Sequence, residues 1–184
     1  MDGLTYAFFP LYPTIIGAVD VFYSNVETSA SVVMSILLLV NFVSLFYVLG
    51  KLFSKKIALR TIFLMFLFPF SIFYRSYFTE GLFLFLLIWF SYFLIKKNFI
   101  LSGFFLGLLT VTRPNGIFVF FVYVPFLIKH LMENYDLKQL FGVLLAIIPF
   151  FTWVYFVYYK TGNPLYWYLV QSEWFKSTNL LAPL

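Results

Sequence analysis

The run from Ala30 to Gly50 carries no charged side chain and is broken only by serines and Asn41. A bilayer crossing takes about 20 apolar residues, because only a continuous helix satisfies its own backbone groups in hydrocarbon. An apolar run without a polar stripe has no soluble surface to present, so this stretch predicts a membrane helix. Lys51, Lys55 and Lys56 close it, and other runs follow the same pattern. Ile57 to Phe73 begins with Arg60 nearby and is expected to bend at Pro69, and Gly81 to Ile95 ends in Lys96 and Lys97. Phe99 to Val111 and Ile117 to Ile128 are each short for a span, which leaves room for the break between them to lie below the membrane surface. Lys129, His130, Glu133, Asp136 and Lys138 form a polar loop before Leu140 to Tyr159, which is expected to bend at Pro149.

The expected fold is all-α: one polytopic membrane helical bundle over residues 1–184, with about six transmembrane helices. The spans fall near 30–50, 57–73, 81–95, 99–111, 117–128 and 140–159, and 160–184 form an outer-face tail. Composition agrees, since 63% of the residues are hydrophobic against roughly 45 to 50% in soluble domains. The N-terminal stretch 4–21 is apolar but holds Pro10 and Pro13, which argue against a straight spanning helix and for a short interfacial or re-entrant segment. Tyr6, Phe8, Phe9, Tyr12, Phe22 and Tyr23 suit either an aromatic belt at the headgroups or ordinary packing. No basic region precedes this stretch, so it does not read as a signal peptide.

The net charge of +5 does not indicate nucleic acid, because the cations stand at the ends of apolar runs rather than along one polar face. They set orientation instead. If the first run travels inward, Lys51, Lys55, Lys56, Arg60, Lys96, Lys97, Lys129 and Lys138 lie inside, and Arg75, Arg113, Lys160 and Lys176 lie outside. The outer face then receives the N-terminal aromatic segment, the loop from Ser71 to Glu80, the Arg113 break and the tail. This is an integral membrane protein, of the cell membrane or of the endoplasmic reticulum in a eukaryote, with its chemistry expected on the outer or lumenal face. The chain has no cysteine and one histidine, His130, so thiolate sites and histidine clusters are excluded. No Gly-rich phosphate loop, metal-ligand cluster or nucleophile elbow is present, so no cofactor is evident and no metal site is assigned; a divalent cation stays open.

Three groups invite chemistry. Thr110-Val111-Thr112-Arg113-Pro114-Asn115-Gly116 places a permanent cation in a turn between apolar runs, at a cost of roughly 2.5 to 3.5 kcal/mol even on lenient insertion scales. A snorkelling arginine in an ordinary tight turn accounts for it, and so does a guanidinium fork placed for a lipid phosphate. Glu80, beside Thr79, is a first-turn carboxylate that the helix dipole alone would favour, unless Arg75 and Arg113 share a pocket with it. The tail from Thr161 through Trp167, Gln171, Glu173 and Trp174 suits interface anchoring, and its rings beside amides equally suit a sugar. A small transporter or channel fits the composition, but the spans hold almost no ionisable residues to line a pathway.

Taken in order, Tyr6-Ala7-Phe8-Phe9-Pro10-Leu11-Tyr12-Pro13, Phe78-Thr79-Glu80-Gly81-Leu82-Phe83, Thr112-Arg113-Pro114-Asn115-Gly116 and Gly162-Asn163-Pro164-Leu165 with Gln171 and Trp174 resemble four signatures of the GPI mannosyltransferase II (PIG-V-like) family. The resemblance implies a glycosyltransferase of the multi-span GT-C type. Such an enzyme moves mannose or a related hexose from a polyprenyl-phosphate donor to a lipid-linked or glycan acceptor. It implies that Arg113, with Arg75, binds the donor phosphate, and that Glu80, or Asp2, is the catalytic carboxylate. Asn115, Gln171, Trp174 and Tyr12 would position the sugar or the carrier headgroup. Three departures stand out: Phe78 occupies a position where tyrosine is common, the family's catalytic aspartate belongs to a loop upstream of the Phe-Phe-Pro motif, and the family carries further helices beyond the last motif. The chain thus corresponds to a middle part of the family, and the alternative is a non-catalytic fragment or a partner membrane subunit that keeps the lipid-phosphate groove.

Overall fold

A computed structural model describes residues 8–69, 78–134 and 136–170, and every regular element among them is helical. α1 spans Leu11–Tyr23 and begins where its prolines are harmless: Pro10 is the N-cap, and Pro13 lies in the first turn, whose N–H groups have no intrahelical partner. At 13 residues it is about 20 Å long, short of the roughly 30 Å hydrocarbon core. Ser24 ends it with a left-handed φ of 51° and donates its N–H to the Asp20 carbonyl. The chain then turns back, and Asn25 caps α2, Val26–Leu52, by accepting from the Thr28 N–H at 2.9 Å. α3, Lys55–Leu67, starts on a Ser54 cap and stops at Phe68, which the following proline holds out of the helical region with ψ at 130°.

α4 covers Glu80–Ile95 and α5 covers Phe99–Thr110. A 3-10 segment, Pro114–Val119, leads into α6, Phe120–Asn134, and a second, Leu137–Leu140, leads into α7, Phe141–Thr161. Among the described residues, three stretches are long and apolar enough to cross a membrane: Val26–Leu52, Pro114–Asn134 and Leu137–Thr161. Two expected spans are therefore corrected in length. The run expected at 117–128 extends to Pro114–Asn134, because the 3-10 segment feeds directly into α6 and the helix carries its basic and polar residues past Ile128. The run expected at 140–159 extends to Leu137–Thr161 for the same reason at its start, and Gly162, at φ 73°, ends it with a left-handed cap. α4 and α5 match their expected positions but are 16 and 12 residues long. The end of the run expected at 57–73 lies outside the described residues.

α5 is central. Gly103 and Gly107 face α7 so closely that a methyl group on either would overlap backbone: Gly103 meets the Gly142 carbonyl, and Gly107 meets the Leu145 carbonyl with the Pro149 ring 2.9 Å away. Small residues four apart let two helix backbones touch, which is the main route to tight packing where lipid removes the hydrophobic drive. On its other side α5 joins α4 in one core of Leu82, Leu86, Phe90, Phe99, Leu106, Leu109 and Tyr123. Tyr123 of α6 is fully buried and satisfies its hydroxyl on the Phe99 carbonyl at 2.9 Å. The start of α5 is also tied from the α6–α7 connection: Gln139 accepts from the Phe99 N–H at 3.1 Å and donates to Asp136 at 3.0 Å.

Candidate functional site

The break after α5 is shaped by its own residues. Thr110 and Thr112 turn their hydroxyls onto the Gly107 and Leu108 carbonyls, each at 2.7 Å, and so satisfy acceptors that a helix end leaves open. Arg113 precedes a proline and is accordingly extended, with φ −153° and ψ 152°, which carries its side chain out of the helix line. Pro114 opens the 3-10 segment, and Gly116 folds back against the Leu109 carbonyl, where a Cβ would collide with backbone. The break is then fixed to the start of α1, since the Leu11 N–H donates to the Val111 carbonyl at 3.1 Å.

This arrangement delivers Arg113 to Glu80, the first residue of α4. Nη1 donates to Oε1 at 2.6 Å, a charge-assisted contact between groups 33 residues apart, with the arginine side chain 35% exposed and the glutamate 26%. The pairing offsets much of what either charge would cost at membrane depth, which an unpaired arginine would bear alone. The second carboxylate oxygen, Oε2, is buried and makes no hydrogen bond to any described residue.

Both side chains line a cavity of about 260 Å3 together with Phe8, Phe9, Tyr12, Pro13, Phe78, Thr79, Thr112 and Pro114. Three segments far apart in sequence, 8–13, 78–80 and 112–114, thus form one concave wall. The volume is just under the roughly 300 to 1,000 Å3 of whole-ligand pockets, so it suits a small group or one end of a larger molecule. Behind it Phe9 packs edge-on to Trp167 at 5.5 Å and tilted to Trp153 at 6.4 Å, so the aromatic segment after Gly162 supports the wall.

Among the residues expected from sequence, Glu80, Arg113 and Tyr12 are brought together here. Asn115 is not: the turn directs it outward, where it is exposed and takes no part in the lining. Asp2, Arg75, Gln171 and Trp174 lie outside the described residues. Sequence reasoning missed the Leu11–Val111 bond, which is a main-chain contact with no residue signature. It also missed the Gly103 and Gly107 seam, which the Gly-x-x-x-Gly spacing inside an apolar run does announce. Among the described residues there is no cluster of His, Cys, Asp and Glu that would hold a metal ion.

Comparison with protein-family models, with curated proteins and with solved structures finds no match. The chemistry of the cavity is therefore argued from its own groups. Its lining brings a guanidinium, which among the described residues makes one hydrogen bond, beside its carboxylate partner and a group of aromatic rings.

Proposed function

We propose that this chain is the core of a membrane glycosyltransferase that moves a hexose from a polyprenyl-phosphate donor to a lipid-linked or glycan acceptor. The observation that carries the reading is the ion pair of Arg113 and Glu80 on one cavity wall, built by three of the four motifs that resemble the GPI mannosyltransferase II family. In this reading the remaining N–H donors of Arg113 hold the donor phosphate. They stabilise the charge that gathers on it as the bond from the anomeric carbon to the phosphate oxygen breaks. The acceptor hydroxyl oxygen forms the new bond to that carbon, its proton passes to the Glu80 carboxylate, and the polyprenyl phosphate leaves. Phe8, Phe9 and Tyr12 offer apolar surface to the sugar's C–H face.

Helix length supports a recessed site. Counted from the Lys96–Lys97 turn, α4 and α5 rise about 24 and 18 Å, short of the roughly 30 Å hydrocarbon core, so a lipid phosphate would reach Arg113 from within the headgroup zone. We take α3, α4 and α5 as spans that complete a bundle of about six, α1 as the interfacial or re-entrant piece, and the cavity as opening on the outer or lumenal face. A partner membrane subunit is compatible with this arrangement.

The 2.6 Å bond itself favours a second reading. A carboxylate that already neutralises the guanidinium is what a non-catalytic chain would keep to stabilise its groove. Membranes carrying the full-length protein distinguish the two, using labelled sugar on a polyprenyl-phosphate donor. The enzyme reading expects transfer that falls by about a hundredfold or more in both Arg113→Lys and Glu80→Gln. Transfer that persists unchanged in both variants rejects the site, and an inactive wild-type protein supports the non-catalytic chain.

A further inference from the structure

Asn41 stands midway along α2 and is 4% exposed. An amide at that depth is costly unless its groups are bonded. Its Nδ2 donates to two carbonyls at 2.8 Å each: Leu37, one turn back on the same helix, and Gly81, 40 residues on. The first bond is local and available to any helical asparagine. The second crosses to α4 and grips its first turn, on a buried glycine next to Glu80.

Leucine would suit α2 better both by helix propensity and by transfer into hydrocarbon, so the amide has to be explained by what it holds. Joining α2 to α4 in general is not enough. Ser44, on the same face one turn further along, already accepts from Trp89 Nε1 at 3.1 Å and ties the middle of α4 to α2. The distinct effect of Asn41 is on the axial position of the first turn of α4, which sets where the Glu80 side chain begins. The other partner, Arg113, is set from a different direction, by the end of α5 and the Leu11–Val111 bond. Two groups held by separate supports meet at 2.6 Å only if both supports are in register, and a displacement of about 1 Å is enough to degrade a reacting geometry.

We propose that Asn41 is a positioning residue for Glu80: through the Gly81 carbonyl it fixes the first turn of α4 so that the Glu80 carboxylate meets Arg113 at the cavity wall. The inference rests on reading Glu80 and Arg113 as the working pair, whichever group is transferred.

The test follows the Glu80 carboxyl directly. Full-length protein in lipid nanodiscs is labelled with carboxyl-13C glutamate, and the Glu80 resonance is assigned by its loss in Glu80→Gln. Arg113→Gln supplies the resonance of an unpaired Glu80. Asn41→Leu is expected to move the Glu80 resonance most of the way to that position while the helical circular dichroism is retained. Asn41→Ser, too short to span to Gly81, is expected to do the same and carries the test if the leucine variant does not fold. Ser44→Ala removes the bond from Trp89, a different α2–α4 contact, and is expected to leave the resonance at its wild-type position. A Glu80 resonance unmoved by either Asn41 variant overturns the proposal, as does an equal displacement in Ser44→Ala. Where the wild-type protein transfers sugar, Asn41→Leu should lower kcat and leave the donor KM nearly unchanged. Where it does not, the glycosyl-transfer reading fails, and the carboxyl resonance still decides the role of Asn41.

Discussion

Replacing Gly103 by alanine tests whether the α5–α7 seam holds the site in place. A Cβ there would lie 2.6 Å from the Gly142 carbonyl carbon and 2.8 Å from its Cα, and would overlap the carbonyl oxygen. Carbon contacts are comfortable at about 3.5 to 4.0 Å, so α5 and α7 must part by about 1 Å. No rotamer change relieves a clash between a Cβ and backbone. Overpacking of this kind costs about 1 to 3 kcal/mol, and the rigid neighbour puts Gly103 near the upper end. Alanine returns about 1 kcal/mol through helix propensity, which leaves a net loss of about 2 kcal/mol. Gly17 of α1 is the control, since a Cβ there meets nothing within 4 Å, and Gly17→Ala should gain up to about 1 kcal/mol. The two variants should therefore differ by about 3 kcal/mol in unfolding monitored by circular dichroism in mixed micelles. Gly103→Ala should also misalign Arg113, which hangs from the far end of α5. A Gly103→Ala protein as stable as wild type would refute the account of the seam.

Two further outcomes are expected. Tyr123→Phe removes the bond to the Phe99 carbonyl and should cost about 1 kcal/mol in the same unfolding assay, without altering the Glu80 resonance. Asp136 sits in the connection between α6 and α7, and the side-chain hydrogen bond from Gln139 holds its carboxyl below the ordinary range, aided by the Lys138 N–H and against some desolvation. Because the folded protein binds this proton less readily than the unfolded chain, its contribution is present above the ordinary carboxylate range and is lost as the pH falls through the lowered value. The thermal midpoint of wild type should exceed that of Asp136→Asn at neutral pH, and the two should converge in acid.

The class of fold was legible in the chain because hydrocarbon leaves so few options. An apolar run such as Ala30 to Gly50, closed by lysines, has to be a helix, and six such runs were placed close to the helices α2 to α7. Their lengths were less legible. α6 and α7 gained residues at ends where polar side chains continue a helix that hydropathy alone would stop, and Pro13 proved compatible with α1 because it falls in the first turn. Glu80 and Arg113 were visible as charges in an apolar setting on one expected face, where a shared pocket was one of two readings open for Glu80. Asn115 shares a motif with Arg113 yet is exposed and outside the cavity lining, because membership in a motif does not say which residues of a 3-10 turn will face a neighbouring wall.

What the sequence determined by itself was the solvent and the elements: helices, their approximate places, and the few charges that need a reason to be there. Those follow from local composition, since the price of exposing backbone to lipid is levied residue by residue. Tertiary structure alone decided that Glu80 and Arg113 are partners, that residues 8–13 close the same cavity, and that Asn41 reaches Gly81. These are contacts across 30 to 100 residues, and the backbone approach at Gly103 and Gly107 and the main-chain bond from Leu11 to Val111 are others of the same kind. Their energies belong to pairs of distant groups and leave no mark on either stretch read alone.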